Sequence, residues 1–296
     1  MDQKTEEQNK GLKIVDTSGG FLSAFEQDVF SLTKWEAYMD RSVPGAKKMC
    51  IEDMKECIGA GFSWEKDFLP VLNEAGRNEM LREKAIRTFL DVTKDLNRKI
   101  CDRFGKTVNA ELILYLGLCN GAGWVTAING KTVVLFGIEK IMELNWCDID
   151  AMNGLVIHEL GHVYQSQYGV LDRTFEKKSD SFLWQLFTEG IAMVFEQEIA
   201  ADPEYYHQDT DGWKVWCDRN AERIRQSFFT DLPQMSEKNQ RYFGDWTDFD
   251  GHGDTGYYLG ARFVRFLMER DEFDRIIQYE IEDVKAGFDR FMRSSM

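Results

Sequence analysis

Residues 124–136, WVTAINGKTVVLF, decide the fold class because they place two short apolar runs on either side of Asn129-Gly130. Asn-Gly between two such runs is a strong signal for a β-hairpin with a two-residue turn. Another short apolar run precedes this hairpin. We therefore expect a small antiparallel sheet, with strands near 112–118, 124–128 and 132–136.

A helix is expected soon after this sheet. Residues 148–150 offer aspartates as candidate N-caps, and Gly169 can end the helix after about Tyr168. This helix contains His158-Glu159-Leu160-Gly161-His162. Residues four apart lie on one face of a helix, about one turn from each other. Both imidazoles can therefore reach a single ion.

The rest of the chain is predicted to be mainly helical. Before the sheet, apolar residues recur at helical spacing over 21–35 and 81–96, with a break near 43–45. After it, helices are expected at roughly 175–200, 213–229, 256–270 and 272–292. Helices, then a small sheet, then helices indicate an α+β class. We expect a flexible tail over 1–19, a helical region over 20–105 and a region over 106–296 that packs with it as one compact unit.

Composition argues against several kinds of partner. The chain has 36 Lys and Arg against 51 Asp and Glu, a formal charge of −15 without a basic patch, which disfavours nucleic acid and anionic membranes. The first 20 residues lack the apolar core of a signal peptide, and the run 182–195 is too short and too polar to span a bilayer. Six scattered cysteines contain no CxxC pair. We expect a soluble, cytoplasmic protein with reduced thiols.

The two histidines predict a metal site. Imidazoles in so apolar a helix need partners, because burying a polar group without one is costly. Zinc would satisfy both His158 and His162, and Glu159 between them can address water bound to that ion. The residues therefore predict Zn²⁺ as cofactor. The alternative is that both histidines only cap or fill a core.

A catalytic zinc needs a third protein ligand. Glu189 is the candidate, because it is the only charged residue between Phe182 and Phe195 and a buried carboxylate needs a cation or donors. Gly190 beside it would let two helices approach closely. In the alternative, an arginine or backbone donors hold Glu189.

Other acidic and histidine residues receive different interpretations. Glu196 and Glu198 lie in a more polar stretch and are expected on a solvated helix face. His207 is expected to cap a surface turn. His252, in a glycine-rich loop, is a candidate for contacting substrate or protonating a leaving group, as an alternative to a purely structural role.

The motif at 158–162, followed by Thr188-Glu189-Gly190-Ile191-Ala192, resembles the gluzincin metallopeptidases. In this thermolysin-like clan the third zinc ligand is a glutamate on a following helix. Residues 134–139 and 256–260 are similar to a bacterial family of predicted zinc-dependent proteases of unknown function. The resemblance covers about 110–265. One departure is Met193, where thermolysin-type enzymes carry an acid that orients a histidine, so this acid must come from elsewhere.

The resemblance implies a thermolysin-like zincin core over 106–296 and hydrolysis of peptide bonds in a peptide or protein substrate. Glu159 would be the general base, and the substrate would add as a strand to a sheet edge near 120–125. The alternative for 120–125 is an ordinary hairpin. Tyr257, in a Tyr-x-x-Gly setting like that of the aminopeptidase branch, would stabilise the oxyanion; Tyr258, His252 and a packing role for both tyrosines stay open.

Two other functions remain as alternatives. One is a peptide-binding module of the peptidase type whose zinc is structural, and the other is a zinc hydrolase of a non-peptide amide. The sequence leaves substrate preference, endo- or exopeptidase action and oligomeric state undetermined.

Overall fold

The computed structural model describes residues 9–244 and 246–294, which are mainly helical with a small sheet, as predicted. These residues form two compact units. The boundary lies between Glu159 and Leu160, inside one continuous helix, Ile149–Tyr168.

The first unit contains a four-stranded sheet, a two-stranded sheet and several helices. Its helices are α1 (Leu32–Ser42), α2 (Lys47–Ala60), α3 (Leu69–Arg77), α4 (Glu79–Val92), α5 (Leu96–Phe104), α6 (Ile138–Glu143) and the start of α7 (Ile149–Tyr168). Its strands are β1 (Leu12–Asp16), β2 (Phe25–Glu26), β3 (Val29–Phe30), β4 (Ala110–Tyr115), β5 (Gly123–Ile128) and β6 (Lys131–Gly137). The apolar stripe of α4 is buried as its spacing predicts, through Ala85, Phe89 and Val92.

The predicted hairpin is present as β5 and β6, which pair antiparallel. Asn129 and Gly130 have φ of 53° and 75°, the left-handed values that a type I′ turn requires. The remaining pairings differ from prediction, because β4 lies parallel to both β6 and β1, in the order β1-β4-β6-β5. The sheet is therefore mixed, not antiparallel. Parallel pairing connects strands distant in sequence and leaves no local turn signal.

The prediction of a flexible tail over 1–19 is wrong over 12–16. These residues form β1, which pairs with β4 from Leu12↔Ala110 to Asp16↔Leu114. Residues 1–8 lie outside the described residues. The strand was missed because its partner lies about a hundred residues further along the chain, and five residues alone carry little periodicity.

The helical interpretation of 21–35 is also wrong in part. Ser18–Ala24 forms a 3₁₀ helix, and β2 and β3 then make a two-stranded hairpin before α1 begins. Gln27 and Asp28 turn this hairpin with positive φ, and the rings of Phe25 and Phe30 meet edge to face. Apolar residues in short segments can match a helical spacing by coincidence.

The second unit is helical. It contains the end of α7, then α8 (Lys178–Ala200), α9 (Trp213–Asp231), α10 (Thr255–Met268), α11 (Phe273–Ile276) and α12 (Ile281–Arg293). The helix predicted over 272–292 is thus two helices. None of the helices in the described part of the chain combines the length and apolar character that crossing a lipid bilayer requires.

Helices α8 and α10 cross in backbone contact. A Cβ added at Gly190 would lie 2.3 Å from the carbonyl oxygen of Gly260, and one at Gly260 would lie 2.6 Å from that of Leu186. Only glycine fits at either position, so the two helices touch where the sequence predicted a close approach at Gly190. This crossing fixes the turn of α8 that carries Glu189.

The connection between β4 and β5, residues 116–122, is held by a buried carboxylate. Glu139, at the start of α6, is 1% exposed and accepts hydrogen bonds from the backbone amides of Gly117 (2.9 Å) and Cys119 (3.0 Å). Burial raises its pKa to about 7, although these amides and Lys140 favour the charged form.

This shift predicts a pH-dependent stability. The carboxyl of Glu139 has an ordinary pKa of 4.5 in the unfolded chain and about 7 in the fold, so the folded state binds its proton more tightly between these values. Its contribution to stability is therefore lost as pH rises from about 4.5 to 7. Unfolding by urea at pH 5 and pH 8 should show the free energy of unfolding falling by about 2 kcal/mol more in the wild type than in Glu139→Gln. Parallel pH curves would contradict the prediction.

Candidate metal site

Both histidines lie on α7 as the sequence predicts. His158 is 4% exposed, Glu159 is 8% exposed and His162 is partly exposed. The apolar residues around them are buried, among them Leu155, Val156, Ile157, Leu160 and Val163. A helix that is apolar on all sides is buried on all sides, and its few polar groups must therefore be satisfied by protein or by a ligand.

Small residues bring α8 against α7. A Cβ added at Gly161 would lie 2.9 Å from Cα of Ala192 and 3.2 Å from Cβ of Phe195, which leaves no room for a larger residue. One residue further along α7, His162 Nε2 lies 3.3 Å from Glu189 Oε2. Rising residue numbers on α7 meet falling numbers on α8, so the two helices run antiparallel at this contact.

The structure brings together the three residues predicted to bind a metal. His158, His162 and Glu189 each offer a ligand atom, and these atoms all lie within 4.8 Å of one another. In a tetrahedral zinc site with bonds of about 2.0–2.1 Å, two ligand atoms are separated by about 3.3 Å. The distance from His162 to Glu189 has this value. Two nitrogens and one carboxylate oxygen are also the ligand set of many catalytic zinc ions, so these residues fit the ion.

Glu159 faces the edge strand of the sheet. A Cβ added at Gly123, the first residue of β5, would lie 2.4 Å from Glu159 Oε1 and 2.6 Å from its carboxyl carbon. Only glycine at 123 leaves space for this carboxylate. In the segment 120–125, Gly123 therefore lets the strand approach Glu159.

Glu196 and His207 contradict the predictions made for them. Glu196 is 1% exposed and His207 is 6% exposed, so neither lies on a solvated face or in a surface turn. Glu196 Oε2 lies 2.9 Å from His207 Nδ1, and Oε1 accepts a hydrogen bond of 3.1 Å from the His207 backbone amide. The polar residues near Glu196 in the sequence concealed this burial. Glu198 pairs with Arg265 and its side chain is 13% exposed, so it too is less solvated than predicted.

Glu196 is a candidate for the acid that is missing at Met193. Ligand atoms of His158, Glu196 and His207 lie within 4.8 Å of one another. A carboxylate beside a metal-binding imidazole fixes its orientation and raises its basicity. Here the acid stands seven residues after Glu189, two helical turns along the same face of α8, instead of four. That spacing was the one signal in the sequence that could have identified it.

The two tyrosines have different surroundings. Tyr258 is buried, donates a hydrogen bond to Asp218 (2.9 Å) and accepts one from Arg262 (3.3 Å); burial and Asp218 raise the pKa of its hydroxyl. Tyr257 is half-buried and its ring meets Phe243 edge to face. Tyr257 stands about one turn before Gly260, whose backbone contacts α8.

The ring of His252 is held in place by packing and by a backbone contact. Its ring stacks on Trp216 of α9 at 3.8 Å between centroids, and its Nδ1 lies 3.2 Å from the Asp250 carbonyl oxygen. These contacts describe a packed loop residue and do not bring it among the three metal-site residues.

Searches against protein-family models, curated proteins and solved structures found no match for this chain. The site must be judged on its own residues.

The position of Glu196 predicts its effect on metal affinity. Glu196→Gln keeps the size of the side chain but removes the charge and sets an amide against one of the two His207 nitrogens, so His158 should be less well oriented. Zinc affinity should fall roughly 10- to 100-fold, measured by competition with a chelator at fixed pH. Glu198→Gln, two residues along the same helix, is the matched control and should leave the affinity unchanged. Equal affinities in both variants would mean that Glu196 serves only to hold His207.

Proposed function

We propose that this chain is a zinc-dependent metallopeptidase of the gluzincin type, with a thermolysin-like core. The observation that carries the proposal is the convergence of His158, His162 and Glu189 within 4.8 Å, with Glu159 on the same helix and against Gly123. A core filled at random would not place a metal ligand set, a candidate base and an open strand edge together.

Glu159 is the proposed general base. His158, His162 and Glu189 would hold the zinc ion, and the ion would supply Lewis acidity when bound. Glu159 accepts the proton of the attacking water and delivers it to the leaving amine. Its low exposure keeps competing water away from the carboxylate, which strengthens these electrostatic interactions.

The outer edge of β5 is the proposed binding site for the peptide. Strand β5 ends the order β1-β4-β6-β5. The Gly137 amide donates to the carbonyl of the opposite residue, Ala122. Hydrogen-bonded pairs alternate along an antiparallel ladder, so the backbone groups of Gly123, Val125 and Ala127 point to the outer edge. An extended peptide can pair with these groups, and its backbone then passes the strand residue that touches Glu159.

Tyr257 is the proposed oxyanion donor. The tetrahedral intermediate of amide hydrolysis carries an oxyanion that a positioned hydroxyl stabilises. The crossing at Gly190 and Gly260 holds the turn of α10 with Tyr257 beside the turn of α8 with Glu189. The hydroxyl of Tyr258 is hydrogen-bonded to Asp218 and Arg262, which supports a structural role for Tyr258.

Metal analysis and a peptide library test the proposal together. The wild type should contain one zinc per chain, His162→Ala and Glu189→Ala should lose it, and Glu159→Gln should keep it while hydrolysis falls roughly 10²- to 10⁴-fold. Glu198→Gln is the matched control, because this carboxylate lies on α8 and pairs with Arg265. It should retain both zinc and turnover.

The outcomes separate the alternative functions. Bound zinc without cleavage of any library peptide, and peptide binding unaffected by Glu159→Gln, would support a binding module. Turnover of simple amides alone would support a non-peptide hydrolase. Zinc retained in full by Glu189→Ala would overturn the assignment of the third ligand.

A pair of conservative changes tests the tyrosines. Tyr257→Phe removes one hydroxyl and should lower kcat roughly 10²-fold or more while zinc content and melting temperature stay close to wild type. Tyr258→Phe should instead cost stability, by about 1 kcal/mol, because Asp218 and Arg262 lose a partner, with little effect on kcat. Small, equal effects on kcat would return both rings to a packing role, and a large loss confined to Tyr258→Phe would move the donor there.

A further inference from the structure

The β4–β5 connection, residues 116–122, leads from the interior of the sheet to its outer edge. Its first residue is fixed from both sides, since the Leu116 amide donates to the Tyr38 hydroxyl (3.0 Å) and the Leu116 carbonyl accepts from Trp35 Nε1 (2.8 Å). Its last residue is fixed by the bond from the Gly137 amide to the Ala122 carbonyl. The course between these two ends decides where β5 begins.

Two side chains hold that course. Asn120 accepts from the Leu118 amide and donates to the Cys50 carbonyl and to Asp53, and Glu139 holds the segment before it. The two carboxylate oxygens of Glu139 divide between two amides of the connection, Oε2 accepting from Gly117 and Oε1 from Cys119. The fit leaves no spare room, because a Cβ at Gly117 would lie 2.5 Å from Glu139 Oε1 and 2.9 Å from the Tyr115 hydroxyl. Cys119 adopts a left-handed φ of 59°, so the backbone changes direction at this residue before β5 begins.

The carboxylate of Glu139 also affects the position of β5, the strand that faces Glu159. A Cβ at Gly137 would lie 2.5 Å from the Gly121 carbonyl oxygen and 3.2 Å from Glu139 Oε1, so the connection passes directly over the end of β6. Four residues after Cys119, Gly123 meets the carboxylate of Glu159. A shift in the connection therefore moves the start of the outer edge relative to the base.

We propose that Glu139 is a positioning residue, which holds the amides of Gly117 and Cys119 and thereby sets where the outer edge of β5 lies against Glu159. This inference rests on the proposed function for the role of that edge. Glu139 touches neither the metal-site residues nor the outer edge in any hydrogen bond described above, and acts only through the connection.

The role predicts a particular kinetic change. If the connection shifts, the outer edge of β5 binds the extended peptide less well in the ground state and the transition state alike. A loss of uniform binding raises KM and leaves kcat nearly unchanged. A carboxylate that only stabilised the core would lower the melting temperature and leave KM as it is.

The test uses two variants that break the same contact from opposite sides. Glu139→Gln has one acceptor oxygen for two amides, and Gly117→Ala places a methyl group against the carboxylate without changing its charge. Glu111→Gln is the control, because Glu111 lies on β4 of the same sheet and pairs with Lys13 and Lys131 on the surface. All are assayed as the full chain, zinc-loaded, well below their melting temperatures.

Three measurements are expected to change together. In peptides covering 116–123, amide hydrogen exchange followed by mass spectrometry should become at least roughly tenfold faster in both variants, as a hydrogen bond to a carboxylate is lost. KM for a library peptide cleaved by the wild type should rise about tenfold, with kcat within about threefold. Zinc content should stay at the wild-type value, and Glu111→Gln should change none of the three.

The contrary results are distinct. Unchanged exchange over 116–123 in both variants, or lower melting temperatures with KM unchanged, would overturn the inference. If the wild type bound no zinc and cleaved no peptide, the proposed function would fail, and faster exchange in the variants would still assign the connection to Glu139. If one variant does not fold, the same measurements on the other variant test the positioning role of Glu139.

Discussion

Carboxylates in an apolar interior need hydrogen-bond donors or cations, and the arrangement around Glu139, Glu189 and Glu196 follows from that requirement. Glu139 takes two backbone amides, Glu196 takes the amide and ring of His207, and Glu189 lies against His162. The first two carboxylates are satisfied within the protein. Glu196 also lies within 4.8 Å of two imidazoles, those of His158 and His207, but both of its oxygens already contact His207. The zinc ion is therefore proposed at Glu189 with His158 and His162.

Glycine makes this arrangement sterically possible. Gly161 lets α8 approach α7, and the contact between Gly190 and Gly260 lets α10 approach α8. Gly117 and Gly123 leave space for the carboxylates of Glu139 and Glu159. In each case a single methyl group would fall within van der Waals distance of a backbone or carboxylate atom. The elements can therefore approach this closely only because these positions carry no side chain.

The mixed topology of the sheet leaves an open edge beside Glu159. Because β4 pairs with β1 and β6, the hairpin partner β5 is left at the end of the sheet, with alternate backbone groups directed outward. An antiparallel arrangement of the predicted three strands in sequence order would have placed β5 in the middle. The long β4–β5 connection therefore leaves an edge available next to Glu159. Its backbone amides lie outside the strands and donate hydrogen bonds to Glu139 instead.

The sequence by itself determined the features that depend on neighbours within one or two turns of chain. The spacing of His158, Glu159 and His162 on one helix follows from helical periodicity, and Asn129-Gly130 specifies the hairpin through its backbone conformation. The isolation of Glu189 in an apolar run likewise indicated that it needed a partner. These signals are local, and a helix or a tight turn preserves them in the fold.

Only the tertiary structure decided the features that join distant residues. The parallel pairing of β1 with β4, the burial of Glu196 with His207 and the contact of Gly123 with Glu159 each depend on how whole elements pack. Residues 12–16 resemble a polar terminus until β4 supplies their partner, and Glu196 resembles a surface residue until His207 covers it. Local polarity and periodicity report what a segment can do alone, whereas burial and strand pairing are properties of the surfaces that it meets.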